Sequence, residues 1–369
     1  MEQQILKNLA DIQTGPFGSQ LHKKDYVENG TPIVTVEHLG ERIFTEQNLP
    51  KVSETDKKRL SKYILCTGDI VFSRVGSVDR CSFVDKTHNG WMFSGRCLRV
   101  RPYKNIDSLY LYYFFCLKET KQFIRNIAVG ATMPSINTKL LGEVEIIYPD
   151  ISVQRKITKI LSAIDSKIEL NKNINDNLQQ QTQAIYDSMF IENANPAWQR
   201  GHLSDLVTVK YGKDHKKLAD GCYPVYGSGG IMRHVERPLY DKESVLIPRK
   251  GTLNNVMYVN QPFWSVDTMF YTEMRIPNVA KFIYHFINGK DLASMNAGSA
   301  VPSMTTDILN AMEVTIPSAT TLAKFEILVA PMYRTMQENN NQSAKLAELR
   351  DTLLPKLMSG QVDVSGIQI

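Results

Sequence analysis

Two glycine-containing turns carry cations at matching places in the chain. Arg74 lies in GDIVFSRVGSVDRCSFVD (68–85) and Arg249 in ESVLIPRKGTLNNVMYVN (243–260), and a glycine follows each arginine two residues later. Alternating apolar residues flank both, which predicts a strand, a tight turn and a second strand. An arginine in such a turn suits a phosphate or the edge of a guanine. The alternative is a solvated side chain on an ordinary turn, and both interpretations stay open.

Further cations and amides stand near these turns. Pairs of lysines follow the first predicted strand of each half, and two asparagines follow the second turn. Asparagine suits adenine through paired hydrogen bonds, as arginine suits guanine. The candidate DNA-contacting residues are Lys23, Lys24, Arg74, Arg80, Lys216, Lys217, Arg249, Lys250, Asn254 and Asn255.

The sequence offers no familiar catalytic motif. Amino-methyltransferases need Asp/Asn-Pro-Pro-aromatic, and the nearest string, NPAW (195–198), lacks the second proline. A Walker A loop is absent, and YGSGGI (226–231) does not complete G-x-G-x-x-G. Neither H-E-x-x-H nor C-x-x-C occurs, so we expect no metal site and no catalytic residue.

Size and composition restrict the class of protein. A chain of 369 residues exceeds a typical single core and predicts two domains. The net charge of +5 permits DNA binding on a limited face without requiring it. No run of eighteen apolar residues and no secretory signal pattern is present, so we expect no membrane association. The five cysteines have no close pairing, which is typical of a reduced, cytoplasmic compartment.

The chain repeats itself. IAVGATMPSINTKLL (127–141) resembles MNAGSAVPSMTTDIL (295–309), and the two prolines set the spacing, since 302 − 134 = 168. That spacing holds without a gap as far as Leu178 and Leu346. The two cationic turns form a second repeat with another spacing. We therefore predict a tandem of two large units, each an α/β module followed by a helix, and we interpret the repeated phrase as a hinge between module and helix.

Each unit ends in a long helical pattern. Residues 152–190 contain neither glycine nor proline, and Ser152 is the predicted N-cap. The second helix is predicted from about Thr320 to Leu354, with a kink or restart at Pro331.

A long helix with one apolar stripe needs a partner, so we predict that the two helices form an antiparallel coiled coil. Asn171 and Asn339 hold equivalent places in the stripes. They either face solvent or meet and fix the register of the pair. Leu328 and Leu349 are also assigned to the second stripe. The predicted pairing residues are Ile157, Ile164, Ile168, Asn171, Leu178, Phe325, Met332, Met336, Asn339 and Leu346.

Together these segments resemble the DNA specificity (S) subunit of Type I restriction-modification systems. TGPFGSQLHKKDYVENGTPIVTVEHL (14–39) and YPVYGSGGI (223–231) resemble the openings of the two target recognition domains. GDIVFSRVGS (68–77) resembles a recurring strand and turn of the same domain. GATMPSINTKLL, the following SVQRKITKILSAIDSKI and the final LRDTLLPKLMSGQV (349–362) resemble the conserved regions. The resemblance covers essentially the whole chain.

The resemblance implies an α+β fold with internal pseudo-two-fold duplication. Two α/β target recognition domains, at 1–150 and 193–318, would be separated by a central spacer helix (151–192) and a C-terminal spacer helix and tail (319–369). Each domain would read half of a bipartite double-stranded DNA site. The helices would dock two methyltransferase (M) subunits and recruit restriction (R) subunits. S-adenosylmethionine, ATP and Mg would bind in those partners, with no cofactor in this chain.

Two other classes of protein remain as alternatives. One is a solitary two-domain DNA methyltransferase or nuclease, and the missing methyl-transfer motif counts against the former. The other is a coiled-coil adaptor that does not bind DNA. Binding of S-adenosylmethionine by the isolated chain would identify the methyltransferase. Salt-sensitive DNA binding would exclude the adaptor.

Overall fold

The computed structural model describes residues 1–16, 20–295, 303–364 and 366, without the side chain of Lys23. Phe17, Gly18 and the part of the second repeated phrase that includes Pro302 lie outside the described residues. The chain divides into two compact units. Unit 1 comprises Met1–Glu169 and Gln342–Ile369, and unit 2 comprises Leu170–Asn341.

Unit 1 is built on three small sheets. Its strands are β1 (Glu2–Ile5), β2 (Ala10–Thr14), β3 (Tyr26–Val27), β4 (Thr31–Val34), β5 (Lys51–Val52), β6 (Ile70–Ser73), β7 (Cys81–Phe83), β8 (Met92–Phe93), β9 (Cys97–Pro102) and β10 (Glu145–Tyr148). The strand orders are β1-β10, β2-β9-β6-β7 and β3-β5-β4-β8. Its helices are α1 (Glu54–Arg59), α2 (Ser108–Cys116), α3 (Lys118–Ile127), α4 (Thr138–Gly142) and the start of α5 (Ile151–Asp187).

Unit 2 repeats this plan. Its strands are β11 (Gln199–His202), β12 (Val207–Tyr211), β13 (Tyr223–Gly227), β14 (Gly230–Val235), β15 (Ser244–Pro248), β16 (Met257–Val259), β17 (Trp264–Ser265), β18 (Met269–Met274) and β19 (Glu313–Ile316). The orders are β11-β19, β12-β18-β15-β16 and β14-β13-β17. The helices are α6 (Leu203–Leu206), α7 (Ala280–Asn288), α8 (Thr306–Asn310) and α9 (Ala319–Met358), whose last part belongs to unit 1. The shared order of the central four-stranded sheets confirms the duplication.

The core of unit 1 forms where α2 packs on its central sheet. Asp107 begins the helix, because its side chain accepts hydrogen bonds from the amides of Leu109 and Tyr110 at 3.1 and 2.9 Å. The aromatic run that follows is buried, and the rings of Phe72 on β6 and Phe115 on α2 meet edge to face at 4.8 Å. This run therefore supplies the centre of the unit 1 core. Its members are Tyr110, Tyr112, Tyr113, Phe114 and Phe115.

The long helices exist, but some of their predicted details are wrong. The amide of Gln154 donates to the carbonyl of Asp150, so α5 begins at Ile151 and Ser152 lies inside its first turn instead of capping it. α5 continues beyond Asp187 into a π-helical turn, Ser188–Glu192. α9 runs through Pro331 as one helix, so the predicted restart is wrong. The hydroxyl of Thr335 donates to the carbonyl of Pro331.

The apolar stripe of α9 differs from the predicted one. Leu328 is 52% exposed and Leu349 is 47% exposed, so neither belongs to the buried face. The buried face in unit 2 keeps the predicted Phe325 and adds Leu322, Val329 and Tyr333. The remaining predicted pairing residues divide into buried Ile157, Asn171 and Phe325, and half-buried Ile164, Ile168, Leu178, Met332, Met336, Asn339 and Leu346. A period-3.6 helix allows several three- and four-residue ladders, and the ladder that the sequence pattern selected matches the buried face only in part.

Within each unit, segments of α5 and α9 lie side by side and antiparallel. In unit 2 the side-chain amide of Asn171 donates to the carbonyl of Asn339 at 3.4 Å, and Tyr186, further along α5, meets Phe325 near the start of α9. In unit 1, Ile157 of α5 shares a core with Leu357 of α9. Sequence numbers thus fall along α9 as they rise along α5.

Candidate nucleic-acid interface

The two cationic turns have the same backbone construction. The amide of Arg74, just after β6, donates to the carbonyl of Arg96 at 2.8 Å. The amide of Arg249, just after β15, donates to the carbonyl of Thr268 at 2.9 Å. Each turn then passes through a glycine in the left-handed region, Gly76 with φ +74° and Gly251 with φ +88°. Only glycine adopts such a φ without strain, so the glycine is a structural requirement of both turns.

The arginine side chains are also held in the same way. The Arg74 guanidinium donates to the carbonyl of Gly95 at 3.2 Å, and that of Arg249 donates to the carbonyl of Asp267 at 3.0 Å. Arg249 additionally lies over the ring of Tyr211, 5.4 Å from its centroid. These contacts fix the position of both half-buried cations, which is what a site needs to present a charge at a defined place.

The repeated phrase packs against these turns. In unit 1 the amide of Ile136 donates to the carbonyl of Arg74 at 2.9 Å, and Ser135 pairs with Val75 in a β-bridge. In unit 2 the amide of Met304 donates to the carbonyl of Arg249 at 2.9 Å, and Ser303 pairs with Lys250. The described part of each phrase is thus paired with the backbone of the cationic turn, a role that the sequence did not reveal.

The unit 1 phrase forms a small exposed loop near its start. The backbones of Val129 and Ser135 exchange hydrogen bonds at 2.9 and 2.8 Å, which closes the loop. Val129 at its base and Met133 near its tip are 63% and 65% exposed. The amide of Gly76 donates to the carbonyl of Pro134 at 2.8 Å, so an apolar tip is attached directly to the cationic turn.

In unit 2, side chains that follow the cationic turn hydrogen-bond two neighbouring loops. The Asn255 side chain donates to the carbonyl of Ser228, in the turn between β13 and β14, at 2.7 Å. The Asn254 side chain donates to Asp291 at 3.1 Å and accepts from the amide of Ala293 at 3.0 Å. Both amides therefore bind their own chain, and they tie the loops together at this end of the sheet. This structural role favours loop attachment over DNA contact for Asn254 and Asn255.

The other predicted DNA contacts are distributed as follows. Lys216, Lys217 and Lys250 are exposed on loops, Lys24 is exposed in a short 3-10 helix, and Lys23 has no described side chain. Arg80, at the far end of the unit 1 turn, lines a cavity of about 620 Å³ together with Lys118 and Lys121, next to α2 and α9. Arg80 is therefore a lining residue of that cavity.

Two residues that the sequence interpretation passed over belong to this surface. Arg96 is exposed, and its carbonyl accepts from the amide of Arg74. Tyr211, 51% exposed, ends β12 and stacks on Arg249. Neither stands in a repeated motif. Only the fold, which brings the start of β9 to the end of β6, could identify Arg96.

Both units therefore present a fixed arginine on a glycine turn, with further cations nearby. Arginine binds phosphate or guanine through paired hydrogen bonds, and exposed lysines add nonspecific attraction to a polyanion. Among the described residues, no helix is both long and apolar enough to cross a membrane.

Comparison with known proteins places this arrangement in context. Residues 2–180 and 195–327 match the sequence family described as Type I restriction modification DNA specificity domain. The chain is 24% identical over 408 aligned positions to the Type I restriction enzyme MjaIX specificity subunit of Methanocaldococcus jannaschii, covering 98% of this chain and 93% of the relative. It is 20% identical to the HindI specificity subunit of Haemophilus influenzae, covering 82% and 88%.

A solved structure shares the fold. The crystal structure of the Type I restriction-modification S subunit from M. genitalium superimposes with a TM-score of 0.59 at 18% identity, covering 96% of this chain and 95% of that one.

Proposed function

The chain belongs to the family of Type I restriction modification DNA specificity domains, and from that premise we propose how its two units work. The chain is a DNA-recognition subunit of a Type I restriction-modification system. We propose that it is non-catalytic and that each unit reads one half of a bipartite double-stranded site. The observation that carries this proposal is the duplicated cationic turn, built from the same hydrogen bonds in both units.

Arg74 and Arg249 are the proposed central contacts. Each guanidinium is positioned by a backbone carbonyl, and the neighbouring residues Arg96 and Lys250 are exposed. Phosphate contacts would supply most of the affinity and make it salt-dependent. A bidentate arginine would discriminate a guanine from the other bases by about 1–3 kcal/mol.

The proposal assigns the chemistry to partner subunits. Two methyltransferase (M) subunits would dock on the paired helices, with S-adenosylmethionine in their sites, and restriction (R) subunits would supply ATP- and Mg-dependent cleavage. The sequence supports this division, because it contains no amino-methyltransferase motif and no Walker A loop.

The test is reconstitution with the methyltransferase partner. The purified chain alone should transfer no methyl group to DNA. The chain and partner together should modify one bipartite sequence, identified by sequencing of methylated bases. Methyl transfer by the chain alone would overturn the assignment of a non-catalytic subunit.

A further inference from the structure

A buried polar junction joins the α2 helix of unit 1 to both long helices. The hydroxyl of Tyr113 on α2 donates to Asp165 on α5 at 2.6 Å. The guanidinium of Arg350 on α9 donates to the other oxygen of Asp165 at 2.9 Å. Tyr113 and Asp165 are 2% and 5% exposed. The carboxylate of Asp165 thus connects its own helix, α5, to α2 and α9.

Unit 2 has a junction at the corresponding place. The hydroxyl of Tyr333 on α9 lies 3.0 Å from Nε2 of His285 on α7. The side-chain oxygen of Gln183 on α5 lies 2.8 Å from Nδ1 of the same ring. His285 is completely buried, and Tyr333 is 9% exposed.

The protonation of His285 follows from its neighbours. The Gln183 amide nitrogen donates to the carboxylate of Asp187 at 2.9 Å, so its oxygen faces His285 Nδ1 at 2.8 Å. An amide oxygen only accepts, so Nδ1 carries the proton and Nε2 accepts from Tyr333. Burial lowers the pKa of His285 to about 4, although the negative charge of Asp187 acts to raise it. The ring is therefore neutral at pH 7.

The two junctions occupy equivalent positions. The 168-residue repeat carries Asp165 onto Tyr333. The helices α2 and α7 begin at Ser108 and Ala280, and the offset between them, 280 − 108 = 172, carries Tyr113 onto His285. The third member differs in place, because Arg350 lies on α9 and Gln183 on α5. Neither of the two matched positions keeps its residue type, yet each unit joins α5, α9 and the helix on its central sheet by a hydrogen-bonded triad.

A buried hydrogen-bonded network has a different effect from apolar packing. Apolar side chains tolerate small rotations of one helix on another, whereas a buried donor without its acceptor costs free energy at once. A satisfied triad therefore selects one orientation of the helices that carry it. Because α2 and α7 pack on the central sheets, each triad fixes the sheet of its unit on the local helix pair.

We propose that Tyr113–Asp165–Arg350 and Gln183–His285–Tyr333 are positioning residues. They orient each recognition domain on the paired helices and thereby determine which gap between half-sites is accepted. This inference rests on the proposed function, since it assumes that each unit reads a half-site.

The test removes one hydroxyl from each triad. Tyr113→Phe and Tyr333→Phe delete the hydrogen bond and leave the ring in place. Tyr110→Phe is the matched control on α2, because its hydroxyl donates to the carbonyl of Ile147 without touching α9. Tyr226→Phe, which loses a bond from Gln261 on a neighbouring loop, is the control in unit 2.

The readout is selection of duplexes from a random library by the full chain with its methyltransferase partner. The wild type and both controls should enrich one gap length. We expect each triad variant to lose roughly tenfold of its preference over gaps one base pair shorter or longer, which corresponds to one buried hydrogen bond. Arg350→Lys should keep more of that preference than Arg350→Met.

The outcomes separate the two proposals. If the triad variants melt at lower temperature but keep the gap preference of the wild type, the triads only stabilise the fold and the inference is overturned. If the wild type itself enriches no bipartite sequence, the proposed function fails, whatever the variants do.

Discussion

Arg74 and Arg249 are the residues on which the recognition proposal depends most. Both units repeat three features of this arginine, although the surrounding sequences differ. Its backbone amide and its guanidinium each donate to a carbonyl, and a glycine follows two residues later. A solvated surface arginine would not require this construction twice. The geometry therefore favours a functional contact over an ordinary turn.

We predict that Arg74→Ala and Arg249→Ala each weaken DNA binding through one half-site. The loss should be about 1–3 kcal/mol for a bidentate base contact, and the salt dependence should become shallower if the contact is to phosphate. Gel shifts at two salt concentrations measure both. Lys86→Ala, on an exposed loop of unit 1, is the control. Unchanged affinity in both arginine variants would remove these turns from the DNA-binding face.

His285 predicts a pH dependence of stability. Its pKa is lowered to about 4 by burial in the folded state, against about 6.5 in the unfolded chain. The free energy that its neutral form contributes is present above pH 6.5 and is lost as the pH falls towards 4. The free energy of unfolding should therefore drop by roughly 2 kcal/mol between pH 7 and pH 5 from this residue. His285→Gln should show a smaller drop in urea titrations at the two pH values, and an equal drop would contradict the assignment.

At the scale of elements, the two α/β modules and the long helices were predictable. Glycine, proline and apolar periodicity set these features, and the repeats preserve them. The apolar stripe of α9 was not predictable, because either Leu328 or Val329 could continue the helical periodicity. Only the packing of the folded protein shows that Val329 is buried and Leu328 exposed. The triads were also hidden, because Asp165 and Tyr333 share a position without sharing chemistry.

Part of the candidate DNA-binding site was predictable, because the duplication repeats it. Arg74 and Arg249 stand in repeated motifs, so the sequence could single them out. Asn254 and Asn255 had the right residue type beside the right turn, but their amides bind Asp291 and Ser228. Residue type alone cannot separate an amide that ties loops together from one that faces DNA.

Lys281 ties α7 to two other elements of unit 2. Its ammonium group is 2.7 Å from Glu243, which precedes β15, and 2.7 Å from Glu326 on α9, and the residue is 3% exposed. Lys281→Met would leave two partly buried carboxylates without their cation. We expect a loss of about 3–5 kcal/mol of unfolding free energy in denaturant titrations.

The control for Lys281 is an exposed ion pair of the same unit. Lys210 lies 3.9 Å from Glu273, with both side chains more than a third exposed. Lys210→Met should cost less than about 1 kcal/mol. Equal losses in the two variants would show that burial of Lys281 does not determine its contribution.

Replacing the asparagines between the two long helices should stabilise the protein, in contrast to replacing Lys281. Asn171 is completely buried and contacts the Asn339 backbone, and the Asn339 side chain donates to Asn175 at 2.8 Å. Polar groups in such a seam fix register at a cost in stability. Asn171→Leu combined with Asn339→Leu should therefore raise the melting temperature, whereas the exposed pair Asn173→Leu and Asn341→Leu should not. A lower melting temperature in the first variant would contradict the seam role.

At the scale of the whole molecule, the proposal makes the helices a spacer. Adding seven residues to α5 near Asn171 and seven to α9 near Asn339 preserves the pairing pattern and lengthens each helix by about 10 Å. The gap between half-sites should then grow by about three base pairs, at 3.4 Å per base pair. Sequencing of methylated bases reads the gap directly. An unchanged gap would argue against a spacer role for α5 and α9.

The central claim, that this chain supplies sequence recognition and its partner supplies chemistry, has one direct test. Methylated bases are mapped in cells that carry the methyltransferase partner with and without this chain. We predict that one bipartite sequence is modified only when the chain is present, and that Arg74→Ala and Arg249→Ala relax opposite halves of it. Methylation of the same sites without the chain, or a modified sequence with a single undivided half, would contradict the account.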